Sequence, residues 1–123
     1  MQLEPTLMSI LAEKALGVDH IAIAVPDLES SIEFYSKVLG FHLKERRETK
    51  GRKTAMVSAV LEAGPLTFVL VQGTTPESQV SRFIEHYGPG VQHIAIGVSD
   101  LPEVAARLKD AGLAFDTTVI EGS

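Results

Sequence analysis

The chain has 123 residues, 45% apolar and 22% charged, which is enough for one domain with a real core and too short for two independent ones. Its formal charge is -5, and its basic residues cluster only at Lys44, Arg46, Arg47, Lys50, Arg52 and Lys53. Nucleic acid is therefore not expected as a partner, since phosphate binding needs a concentrated positive face. With no cysteine, disulfides and thiolate metal sites are excluded, and any metal must rest on His and carboxylates.

In chain order, residues 1–16 carry Leu3, Leu7, Ile10 and Leu11 at helical spacing and predict a short N-terminal docking helix. No signal-peptide pattern opens the chain and no apolar run approaches the roughly 20 residues that span a bilayer, so neither export nor a membrane is expected. A cytoplasmic location is the expectation. From Val18 a strand with alternating β-branched residues runs to Asp27, an N-cap for a helix whose apolar face is Leu28, Ile32, Tyr35 and Leu39 and whose stop is Gly40. Three strands follow, Phe41 to Lys50, Thr54 to Glu62 and Leu66 to Val71, joined by turns at Gly51-Arg52-Lys53 and Ala63-Gly64-Pro65. The basic cluster falls on this first hairpin, where it is a solvated edge or a grip on an anionic substrate tail.

Residues Pro76 to Tyr87 predict a linking helix with Val80, Phe83 and Ile84 on its buried side. A second strand and helix come next, the helix capped by Asp100 and Glu103, faced by Leu101, Ala105 and Leu108, and ended by Gly112. A final stretch covers Leu113 to Ile120.

The second strand repeats the first. Val18-Asp19-His20-Ile21-Ala22-Ile23-Ala24-Val25-Pro26-Asp27-Leu28 recurs 73 residues later as Val91-Gln92-His93-Ile94-Ala95-Ile96-Gly97-Val98-Ser99-Asp100-Leu101. Two copies at so long a period predict duplicated modules rather than a solenoid. The fold class is thus α+β: a first βαβββ module over residues 17–75, a linking helix within 76–89, and a second module over 90–123 that lacks its last two strands.

Alternation along a strand puts His20, Ala22 and Ala24 on one face and Ile21, Ile23 and Val25 on the other, and it divides the second copy identically. The branched face suits packing against the module's helix. The other offers an imidazole among small residues, as a cavity lining does. A single such His would be read as a hydrogen-bonded strand residue; the duplication makes His20 and His93 candidate ligands of one metal. His42 and His86 lack this setting and are expected at the surface or in caps.

These residues resemble the vicinal oxygen chelate superfamily, whose paired βαβββ modules form a cup-shaped mixed sheet round a divalent metal. Within it the likeness is to the catalytic domain of the 4-hydroxyphenylpyruvate dioxygenase family. It is carried by Val18-Asp19-His20, Gly40-Phe41-His42, Ser58-Ala59-Val60-Leu61, Glu77-Ser78-Gln79-Val80 and Gly90-Val91-Gln92-His93-Ile94-Ala95. The resemblance implies Fe(II) held by His20, His93 and a late glutamate, and a substrate pocket using Ser58, Gln79 and Gln92. The family's pocket asparagine falls on Gly73, which leaves the particular 2-oxo acid open.

Epimerases and glyoxalases of the superfamily use a fourth ligand on the last strand of the first module, where this chain has Val69. That departure implies a three-ligand site with open positions, in an oxidoreductase acting on a small 2-oxo acid. A glyoxalase or methylmalonyl-CoA epimerase-like activity, and a bleomycin-resistance type of binding module, are the alternatives. The glutamate ligand has no match within the chain, Glu62 and Glu121 being expected in solvent. A homodimer, or completion by another chain segment, is therefore expected.

Overall fold

A computed structural model of the chain describes residues 11–112. Of the leading helix only residues 11–14 are described, and they are helical; the stretch from Leu113 onward, with Glu121, lies outside the described residues. The elements are β1 (Ala15–Ala24), α1 (Leu28–Glu33) continued by a π-helical turn (Phe34–Val38), β2 (His42–Thr49), β3 (Met56–Ala63), β4 (Leu66–Gly73), α2 (Gln79–Tyr87), β5 (Gly90–Val98) and α3 (Leu101–Asp110). The five strands form one mixed sheet in the order β2-β3-β4-β1-β5, which is the α+β arrangement expected.

By internal contacts, residues 18–95 form one compact unit. In it β2, β3 and β4 make an antiparallel meander, and β4 lies parallel to β1. Cross-strand partners share a face, so the register carries the alternation of β1 across the sheet. Ile23 and Val25 of β1, Leu70 of β4 and Ala59 and Leu61 of β3 meet Leu28 and Ile32 of α1 in one apolar cluster. Ala24, Val69 and Val71, with Met56 of β3, meet Val80, Phe83 and Ile84 of α2 in a second cluster. The sheet is thus covered by α1 on the branched face of β1 and by α2 on the face that His20 shares.

Both helices begin as their sequences dictate. Asp27 accepts from Ser30 N at 3.2 Å, and Ser78, fully buried, accepts from Val80 N at 3.2 Å. Gln72 adds a cap from outside the helix: its Oε1 accepts from Leu28 N at 2.7 Å. Leu39 departs from expectation, being half exposed. Ser36 Oγ donates to Ile32 O at 2.7 Å, and Leu39 N reaches back to Phe34 O in the five-residue step of a π-turn, which rotates Leu39 off the face of Leu28 and Ile32. Tyr35 keeps its place, edge-on to Phe41 and Phe68. The small residues of β1 also differ from expectation: Ala22 and Ala24 are fully buried, and Val80 of α2 fills the space at Ala24.

The second unit joins residues 11–17 to the described residues from 96 onward. Lys14 O accepts from Ser99 N at 2.9 Å, and Lys14 pairs with Glu103 at 3.1 Å. Asp100 caps α3 by accepting from Glu103 N at 3.2 Å. Here Val104 is the buried residue while Leu101 is nearly half exposed, so the inward face is one position round from that expected.

Gly73 ends β4 where α2 begins. A Cβ there would lie 2.0 Å from Ser81 Oγ, 2.7 Å from Ser81 N and 2.9 Å from Ser78 Oγ. Backbone is among those atoms, so a methyl group forces strand and helix apart. Gly73→Ala is expected to lower stability by about 1–3 kcal/mol, read as an earlier midpoint in urea denaturation; an unchanged midpoint would show that the contact is looser than described.

Candidate functional site

His20 and His93 sit on β1 and β5, which are neighbours in the sheet. Their rings meet edge to face, with centroids 5.6 Å apart and planes at 77°. A ring centroid lies roughly 3.2 Å from an ion bonded to one of its nitrogens at about 2.1 Å, so two rings at this separation are able to share one divalent ion. The donor chemistry fits as well.

Asp19 supplies what the repeat did not reveal. Its Oδ2 lies 2.9 Å from His20 Nδ1. A carboxylate only accepts, which assigns the proton to Nδ1 and leaves the lone pair on Nε2. A carboxylate behind an imidazole is the usual outer partner of a metal-bound His. The available signal was a polar residue ahead of the His in both copies, Asp19 in one and Gln92 in the other.

His93 is tuned to stay neutral. Its pKa is held below the ordinary 6.5, first because the ring is partly withdrawn from water and second because charge on His20 repels a second charge. Among the described residues no group of three or more His, Asp or Glu side chains gathers round a common point. Glu62 instead faces Lys44 at 3.8 Å.

The register locates the other candidates. Ser58, 5% exposed, pairs with Val71, which pairs with Ala24, so Ser58 lies on the face of His20. Val69 pairs with Ala22 on that same face and offers no ligand atom. Gln72 alternates to the opposite face, where its amide is committed to α1. Gln79 and Gln92 line one open cavity of about 610 Å³ with Arg82, Phe83, Glu85, His86 and Tyr87. His20, His93 and Ser58 are not part of that lining. The structure therefore brings the two histidines together and the two glutamines together, in separate groups. His42 and His86 are both exposed, as expected, and His86 lines the cavity beside Tyr87, with ring centroids 4.4 Å apart.

A mixed sheet carrying two imidazoles at matched points of a repeat defines a class, and the sequence profile of that class fits. The chain belongs to the Glyoxalase/Bleomycin resistance protein/Dioxygenase superfamily, whose profile matches residues 17–121. Among its relatives is a 4-hydroxyphenylpyruvate dioxygenase from Hordeum vulgare, 32% identical over 74% of this chain and 23% of the dioxygenase. A lactoylglutathione lyase from Arabidopsis thaliana is 31% identical over 76% of this chain and 31% of the lyase. The crystal structure of methylmalonyl-CoA epimerase from Mycobacterium tuberculosis superimposes with a TM-score of 0.75 and 28% identity, covering 94% of this chain and 74% of the epimerase. The chain thus spans a third or less of the dioxygenase and of the lyase. No helix among the described residues is long and apolar enough to cross a membrane.

The depressed His93 pKa has a sign. Between the folded pKa and the unfolded value near 6.5 the unfolded chain binds more protons, so stability is full above 6.5 and falls as pH drops towards the folded pKa. His93→Gln is expected to flatten that acid-side slope in denaturation midpoints measured across this window. An unchanged slope would mean that other groups carry it.

Proposed function

We propose that the chain carries two imidazole ligands, His20 and His93, of a divalent metal, iron(II) in our reading, in an enzyme that oxidises a small 2-oxo acid. The observation that carries this is the imidazole pair, 5.6 Å apart on neighbouring strands, with Val69 in place of a fourth ligand on the same face. A bound metal would supply Lewis acidity and, as iron(II), the activation of oxygen.

The residues of the chain do the rest. Asp19 would hold the His20 ring with Nε2 free to bind a metal, and the low basicity of His93 favours an unprotonated ring nitrogen near neutral pH. In our reading Ser58, on the same face of the sheet and 5% exposed, is a donor to a bound substrate. The likeness to methylmalonyl-CoA epimerase favours a second reading as an isomerase, against which the apolar Val69 counts. We read the assembly as a cytoplasmic homodimer or a chain completed by another segment. Val91 and Ile94 on β5, the outermost strand among the described residues and each more than half exposed, support a covering partner.

Equilibrium dialysis of the purified chain with Co(II) tests the metal. Asp19→Ala is expected to weaken binding about 10–100-fold, as loss of an outer partner does, and His20→Ala or His93→Ala to weaken it further. Oxygen consumption with a panel of 2-oxo acids and Fe(II) then separates oxygenase from isomerase. Wild-type protein that ignores Co(II), or binds it equally without either histidine, overturns the proposal.

A further inference from the structure

The fold divides the basic cluster of the first hairpin into two halves. On β2, Lys44 faces Glu62 at 3.8 Å, Arg46 holds Glu29 through two nitrogens and Arg47 holds Glu45 at 2.6 Å. In the turn between β2 and β3, Lys50, Arg52 and Lys53 are exposed and form no ion pair among the described residues. We infer that this turn is a binding site for a small ligand carrying adjoining phosphoryl groups, of the triphosphate class.

The turn gathers its cations and holds them. From Lys50 to Lys53 the backbone spans at most about 11 Å, so three positive charges share one short stretch. Gly51 takes φ +149°, and a Cβ on it would lie 2.5 Å from Thr54 Oγ1. Lys53 O accepts from Gln79 N at 2.9 Å and Ala55 O accepts from Thr74 N at 3.1 Å, which brace the outgoing arm against the connection from β4 to α2. Charged heads on a braced turn lose less freedom on meeting an anion than the same heads on a loose loop. Glu48 and Glu77 are also exposed, yet neither pairs with these cations among the described residues.

Charge sets the size of the ligand. The chain carries a net -5, so a long polyanion or an anionic bilayer meets an acidic protein wherever it extends past the turn. Screening confines the field of the three cations to about 8–10 Å at moderate salt, a reach that a short chain of phosphates fills. Arg52 bonds two phosphate oxygens at once, and each lysine adds a point charge. Residues Lys50 to Thr54 include no apolar side chain that would enter a membrane. The register also sets the turn apart from the imidazole pair. Ile21, next to His20, pairs with Phe68, and Phe68 pairs with Leu61. From Leu61 back to Met56, where β3 begins, is about 17 Å at 3.3 Å per residue, and the turn lies beyond. A small acid at the histidines would not reach it, so the turn is a site of its own.

The inference does not depend on a metal, so chelator-treated protein in low-salt buffer without divalent ions tests it. Titration calorimetry with inorganic tripolyphosphate is expected to show saturable binding, and orthophosphate, with fewer charges to meet the three cations, should bind at least about tenfold more weakly. Lys50→Gln, Arg52→Gln and Lys53→Gln combined should weaken tripolyphosphate about tenfold, since three exposed contacts each contribute a few-fold. Lys37→Gln, Lys44→Gln and Lys109→Gln combined, an equal change in net charge placed elsewhere, should leave its affinity within about twofold. Gly51→Ala, which strains the turn and alters no charge, should weaken it about threefold. No saturation with tripolyphosphate, equal losses in the two triple variants, an unchanged affinity in Gly51→Ala, or tighter binding to phosphatidylserine vesicles or a short DNA duplex would each overturn the assignment. All these variants keep His20 and His93, so Co(II) binding in parallel samples reports separately on the metal reading.

Discussion

Four consecutive pairs, from Ile21 with Phe68 to Ala24 with Val71, lock β1 alongside β4 in parallel. Because side chains alternate along both strands, this register decides the face of every residue in the meander beyond it. It sends Ile23, Leu70 and Leu61 towards α1, and it puts Ala24, Val71 and Ser58 on the other side with His20. A slip of one residue between the two strands would put His20 and Gln72 on the same face. The hydrogen bond from Leu28 N to Gln72 Oε1 opposes that slip, since it forms only when Gln72 faces α1.

The two faces are used differently. The α1 side is filled by aliphatic and aromatic side chains, with Tyr35, Phe41 and Phe68 in mutual ring contact, and serves cohesion. On the other side α2 occupies the sheet at Ala24 and Val71 and leaves the His20 end of β1 to the imidazole pair. The same helix presents Arg82, Phe83 and Tyr87 to a cavity of its own. The imidazole pair and the cavity lined by α2 are thus two distinct places, and only the second brings guanidinium, amide and aromatic groups together.

Strand alternation and capping residues made most of this fold legible in the sequence. The repeat located both histidines because strands copied together carry side chains to matched positions, and pairing of β1 with β5 then makes those positions neighbours. Leu39 was misread because periodicity assumes a uniform helix, whereas a serine hydroxyl on the Ile32 carbonyl widens the last turn. Asp19 escaped because its partner is the adjacent residue, and a one-residue contact leaves no periodic trace. Arg82 escaped for a related reason: on the helix it looks like any solvated residue, and only the fold reveals that Gln92 stands across from it.

The methyl group missing at Gly73 has a mechanical consequence. With β4 backbone against Ser78 and Ser81, the first turn of α2 has no room to slide or roll across the sheet. Val80 in the apolar cluster and the Gln79 to Lys53 hydrogen bond pin it from two further directions. A ligand arriving at this helix thus meets a wall already in position and loses little affinity to rearranging it. Discrimination there rests on fit to a fixed template, not on closure around the guest.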